Sequence, residues 1–144
     1  MSPAEVARTI TSLVHHGTLS TVDNEGCPLG TYITFVLDES GSPLLRLRSD
    51  AAHTENLRNN KRCTIFAHPS ARPARQLARV TLIGEVEAMS REEAHEAAAR
   101  HAEIFADAVG VDAPQPDDIF MRLRVSACFY VSGLGVRDIL PSCV

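Results

Sequence analysis

Thr31-Tyr32-Ile33-Thr34-Phe35-Val36-Leu37, the turn Asp38-Glu39-Ser40-Gly41 and the run Pro43-Leu44-Leu45-Arg46-Leu47-Arg48 decide the fold. In the first run Ile33, Phe35 and Leu37 face one side and Tyr32 and Thr34 the other, which is the two-residue alternation of a strand. Val36 interrupts the polar face, so that face is also partly covered. In the second run Leu45 and Leu47 lie opposite Leu44, Arg46 and Arg48. The residues between are turn formers, so the two runs predict an antiparallel hairpin.

Upstream the same grammar repeats. Thr18 to Val22 is a short β-branched strand, and Asp23-Asn24-Glu25-Gly26 is a turn. Two hairpins in succession predict a meander. Before them, Ser2-Pro3-Ala4-Glu5 combines an N-cap serine, a proline at the first helical position and a reciprocal glutamate. Val6, Ile10, Leu13 and Val14 follow at helical spacing, and Gly17 closes the helix.

Downstream, a short helix runs from about residue 52 to 60, capped by Ser49 or Asp50. Cys63 to Ala67 is a strand, 69–76 an arginine-bearing loop, and Leu77 to Ala88 a long strand. Ser90-Arg91-Glu92-Glu93 is a capping box opening a helix that runs to about Val109 and ends at Gly110. After a loop marked by Pro114 and Pro116, Met121 to Val131 is the last strand, ended by Gly133 and Gly135. Six strands and three helices make an α+β chain, read as one domain over residues 1–144. A closed or nearly closed barrel hides the strand edges.

The chain has 144 residues, of which 44% are hydrophobic, enough for a core without disulfide staples. Its net charge of −4 argues against a nucleic-acid or anionic-membrane binder. Lys61 is the only lysine among 14 basic residues. Cys27, Cys63, Cys128 and Cys143 form no Cys-x-x-Cys pair and no zinc pattern. Cys63 and Cys128 read as small core residues, and Cys143 as an exposed tail thiol. No metal centre is expected. There is no signal-peptide pattern and no apolar run of spanning length. The expected compartment is the cytoplasm, or an organelle stroma after loss of a transit peptide.

Four motifs carry a resemblance. Gly17-Thr18-Leu19-Ser20-Thr21-Val22 with Gly26-Cys27-Pro28-Leu29-Gly30 resembles the opening hairpin of the pyridoxamine 5'-phosphate oxidase-like split barrels. Ser49-Asp50-Ala51-Ala52-His53-Thr54-Glu55-Asn56-Leu57 is similar to a segment of one branch, which holds haem-degrading, glutamyl-tRNA-reductase-binding and CREG-like proteins. Arg79 to Val86 and Phe129-Tyr130-Val131 with Gly133-Leu134-Gly135 resemble the strand and ending that follow.

The resemblance implies a six-stranded antiparallel split β-barrel with peripheral helices. It also implies a homodimer with FMN in a cleft between subunits, its phosphate held by basic and hydroxyl groups. Thr31 and Val36 stand where the oxidases carry an arginine and a lysine, His53 where they carry a phosphate-binding lysine, and Arg79 near a ring-contacting glutamine. With both strand cations absent, pyridoxamine-phosphate oxidase activity is not expected.

The chemistry of the residues points to the same place. Arg46, Arg48, Ser49, His53, Thr54 and Asn56 gather arginine forks, hydroxyls and a helix start, which is the equipment of a phosphate site. The resemblance adds Thr31 and Arg79 nearer the flavin ring. The alternative is that the arginines are solvated sheet residues and His53 an ordinary helix residue. Haem is the competing cofactor, and its iron needs an axial side chain. The C-terminal histidine ligand of the haem-degrading relatives has no counterpart, since no histidine follows His101. His15, His16, His68, His95 and His101 are the remaining candidates. Three readings result: an FMN-dependent redox protein, a haem- or tetrapyrrole-handling protein, or an interaction module with an empty cleft. Glu92 and His95, three residues apart, read as a solvated helix face.

Overall fold

Two tight turns of the same design set the register of the first three strands. In each, an aspartate Oδ1 accepts backbone N–H groups two and four residues on, at 2.9 Å: Asp23 from Glu25 and Cys27, Asp38 from Ser40 and Ser42. The glycine three residues after each aspartate has a positive φ, +83° at Gly26 and +89° at Gly41, which glycine adopts without a Cβ penalty. The structure, a computed structural model, describes residues 3–69, 78–106, 108, 111, 113–131 and 137–140. Cys143, the helix stop expected at Gly110, the Gly133 and Gly135 ending and nearly all of the arginine-bearing loop lie outside them.

In chain order the elements are α1 (Pro3–Leu13), β1 (His16–Val22), β2 (Pro28–Leu37), β3 (Pro43–Leu47), α2 (Ala52–Asn59), β4 (Arg62–Ala67), β5 (Arg79–Ala88), α3 (Arg91–Ile104), β6 (Ile119–Val131) and β7 (Arg137–Leu140). The sheet order is β3-β2-β1-β4-β5-β6, closed by a β3–β6 pairing into a six-stranded antiparallel barrel. β7 is an addition the sequence reading missed. One edge of β6 is shared: residues 119–122 pair with β3, and residues 128–131 with β7. The opposite edge pairs with β5, through a bulge between Ile83 and Gly84.

The barrel interior is Leu19, Ile33, Phe35, Leu45, Leu47, Ile65, Val80, Leu82 and Leu123, all but fully buried, with Leu57 of α2 and Ile10 of α1 closing it. Each such side chain contributes about 1.5–3 kcal/mol of burial. A second, outer cluster explains Val36. It packs with Leu44, Phe120 and Ala97 of α3, so α3 covers the outward face of β2 and β3 there. Cys63 is a free core thiol whose pKa burial pushes up to about 12. Cys128 is equally buried but disulfide-bonded, so it is not the simple core residue expected.

Several boundaries differ from expectation. α1 ends at Leu13 and β1 begins at His16, so Gly17 lies inside a strand. An added Cβ there would overlap the Phe66 carbonyl oxygen, which is why glycine is needed. The N-cap of α2 is Ala51, with no side-chain cap, because the expected caps Ser49 and Asp50 lie too early. α3 stops at Ile104. Its predicted capping box is present, with Glu93 N–H donating to Ser90 Oγ at 3.1 Å and Ser90 N–H to Glu93 Oε1 at 3.3 Å.

Candidate functional site

Arg46 and Arg48 leave the same face of the chain, Arg46 on β3 and Arg48 just past its end. Both reach the loop ahead of β6. Arg46 donates from Nε to Asp118 Oδ2 at 2.8 Å and from Nη2 to the Ala113 carbonyl at 2.8 Å. Arg48 donates to Asp118 Oδ1 and to the same carbonyl, each at 3.2 Å. Ser49 joins by donating from Oγ to Asp117 Oδ2 at 2.5 Å. The arginine fork is therefore built, and within this chain it grips a carboxylate.

Beside the fork is a cavity of about 110 Å³ lined by Tyr32, Ile33, Thr34, Arg46, Arg48, His53 and Val111. His53 Nδ1 lies 3.1 Å from Thr31 Oγ1. Its Nε2 is buried with no hydrogen-bond partner among the described residues. Burial lowers the His53 pKa, so the ring is neutral. In the tautomer with Nδ1–H donating to Thr31, Nε2 carries a lone pair available to a ligand.

Behind the cavity, Thr34 Oγ1 meets His101 Nε2 at 2.8 Å. His101 is buried on α3 and stacks on Phe105 at 4.4 Å between ring centres. Burial first, and the nearby Arg46 charge second, push its pKa down to about 4. A larger cavity of about 350 Å³ opens on its other side, lined by Arg46, His95, His101, Gln115 and Asp118 among others.

Of the sequence candidates, Thr31, Arg46, Arg48 and His53 come together, and Ser49 sits at their edge. Thr54 does not join them: it is fully buried, with its hydroxyl donating to the Arg48 carbonyl at 2.5 Å. Asn56 instead ties α2 to β1 by donating from Nδ2 to Thr21 Oγ1 at 3.0 Å. Arg79 starts β5 opposite Val131, three strands around the barrel from β2, and does not line the cavity. Val36 is fully buried under α3, where a lysine would have no outlet.

The five histidines proposed as haem ligands separate clearly. His101 has Nε2 occupied by Thr34, and His68 has Nδ1 within 2.9 Å of the Pro69 carbonyl. His16 lies in β1 and stacks on Tyr32 at 5.7 Å between ring centres. His15 has a buried Nδ1 with no hydrogen-bond partner among the described residues and meets Phe105 edge-on. His95 is exposed on α3 beside the exposed Glu92, as a solvated face requires. Asp118 and Thr34 were missed, because no periodicity or motif marks them, and the Thr34 partner of His101 was not foreseen. No group of three or more metal-ligating side chains forms among the described residues.

The family model described as pyridoxamine 5'-phosphate oxidase matches residues 4–132. The chain belongs to the pyridoxamine 5'-phosphate oxidase family. It is 32% identical over 136 residues to the Arabidopsis thaliana protein "Non-canonical heme oxygenase HOZ, chloroplastic", covering 93% of this chain and 41% of that one. It is 49% identical over 45 residues to "Glutamyl-tRNA reductase-binding protein, chloroplastic" of the same plant, covering 31% of this chain and 14% of that one. Its fold superposes with a TM-score of 0.81 and 32% identity on a solved structure titled as a heme binding protein from Mycobacterium smegmatis, covering 98% of this chain and 58% of that chain. The chain thus spans less than half the length of these two curated relatives.

Proposed function

We propose that this split barrel binds haem or a related acidic tetrapyrrole, rather than serving mainly as a flavoprotein. The observation that carries the reading is the likeness, at 32% identity over 98% of this chain and 58% of the other, to a structure described as heme binding. The cavity supports it with a neutral, buried His53 nitrogen and a fork that already holds a carboxylate. Arg46 and Arg48 would take an acidic substituent, and His53 Nε2 would face the metal or a polar edge. Neutral imidazole is the form a metal accepts. Bound haem would supply the iron chemistry, while the chain orients it and keeps water from the Thr31–His53 and Thr34–His101 pairs.

A cavity of about 110 Å³ is small beside the ~300–1,000 Å³ of ordinary cofactor sites. The rest of the site must come from another surface. A homodimer supplies it: Tyr32 at the cavity mouth is 60% exposed, and Phe66 and Phe129 are exposed in the same cross-strand row. FMN is the second reading, favoured by the Arg46–Arg48 fork and the adjoining start of α2, which suit a phosphate. Oxidoreductase activity belongs to that reading. No helix of the described residues is long and apolar enough to cross a membrane. A cytoplasmic or stromal site of action is proposed with both readings.

Titration of the purified protein with haem, followed in the visible spectrum, tests the proposal. A shifted Soret band, altered by His53→Ala and weakened by Arg46→Met, is expected. A spectrum of free haem throughout, with FMN fluorescence quenched instead, would reverse the two readings.

A further inference from the structure

Resting on the reading of this cavity as an acidic-cofactor site, we infer that Asp118 is a built-in surrogate ligand, which an incoming acidic group must displace. Both guanidiniums share, among their partners, the Asp118 carboxylate and the Ala113 carbonyl, which together imitate the oxygens of a single anion. The arrangement is enclosed: the side chains of Arg46 and Asp118 are 7% and 8% exposed. Asp118 Oδ2 also accepts the Gln115 N–H at 3.0 Å, so the carboxylate closes its own loop as it fills the fork. Ser49 holds the adjacent Asp117. Arg46, Arg48 and Ser49 are thus all engaged by residues 113–118.

A carboxylate or phosphate of a ligand competes with Asp118 for the same N–H donors. The observed affinity is the difference between two charge-assisted interactions, and binding releases the loop. Asp118 therefore sets how acidic and how well placed a ligand group must be, and the loop reports its arrival.

The test titrates wild type and Asp118→Asn with haem and, separately, with FMN, and follows hydrogen exchange at the Gln115 amide. The variant removes the competing charge, so the accepted ligand should bind at least about ten-fold tighter, as expected for a charged hydrogen bond. In the wild type, the same ligand should speed Gln115 exchange. The probe that shows both effects distinguishes a propionate from a phosphate. Ligand binding with no gain in the variant and an unchanged Gln115 amide overturns the inference and leaves the cofactor reading standing. Binding of neither ligand by either protein overturns both. Should Asp118→Asn fail to fold, Gln115 exchange in the wild type decides alone.

Discussion

Thr34 Oγ1 of β2 and His101 Nε2 of α3 lie 2.8 Å apart, 67 residues apart in the chain and both buried. This bond fixes α3 over the outward face of the barrel, directly behind the candidate cavity. It also keeps an ionisable ring in a place that tolerates only its neutral form.

Stability should therefore depend on pH through His101. Its folded pKa is down at about 4, below the ordinary value of 6.5. Between those values the unfolded chain binds a proton that the folded chain refuses. The contribution is complete above about pH 6.5 and is lost as the pH falls toward 4, on the order of 3 kcal/mol in all. Thermal unfolding of the wild type and His101→Gln across that window should show the steeper acid decline in the wild type. Parallel declines would assign the acid sensitivity to other groups.

Arg46 and Arg48 should differ in cost although they share partners. Arg46→Met strips a guanidinium that is 7% exposed and leaves the buried Asp118 to Arg48 and the Gln115 N–H, at a cost of about 3 kcal/mol. Arg48 is 29% exposed, so Arg48→Met should cost about 1 kcal/mol. Denaturant unfolding measures both. The double variant Arg46→Met with Asp118→Leu should recover part of the first loss, and a further loss instead would show that the pair is not a closed unit.

Gly84 and Gly26 should also part company. At Gly84, beside the bulge, an added Cβ would overlap the Arg124 carbonyl oxygen on the neighbouring strand. Gly84→Ala must push two paired strands apart and should cost about 3 kcal/mol. Around Gly26 there is open space, and only its φ of +83° resists a side chain. Gly26→Ala should cost about 1 kcal/mol. Equal midpoints for the two variants would refute the bulge argument.

The proposed dimer makes a separate prediction. Tyr32, Thr18, Phe66, Thr81 and Phe129 form one row across five strands. Sedimentation of the wild type should give a dimer, and Phe66→Asp should weaken it at least about 100-fold, as loss of a central aromatic anchor does. A monomeric wild type would remove the dimer and, with it, the second wall of the cofactor site.

The sequence by itself determined six strands and their faces, the two Asp-x-x-Gly turns and the Ser90–Glu93 capping box. These depend on neighbours within a few residues, where side-chain alternation, glycine φ and reciprocal capping act. It also singled out Arg46, Arg48 and His53 from strand parity and the helix start, and Thr31 from the family resemblance, and the structure places these four beside one cavity. Only the tertiary structure decided what those residues meet. Asp118 reaches Arg46 across 72 residues of chain, and His101 reaches Thr34 across 67. Thr54 and Asn56 were drawn away into bonds that hold α2 to the barrel. Such contacts follow from barrel closure and from α3 and the 113–118 loop folding back over β3. No local periodicity records them, because the partner of a buried polar group is whichever group the fold carries to it.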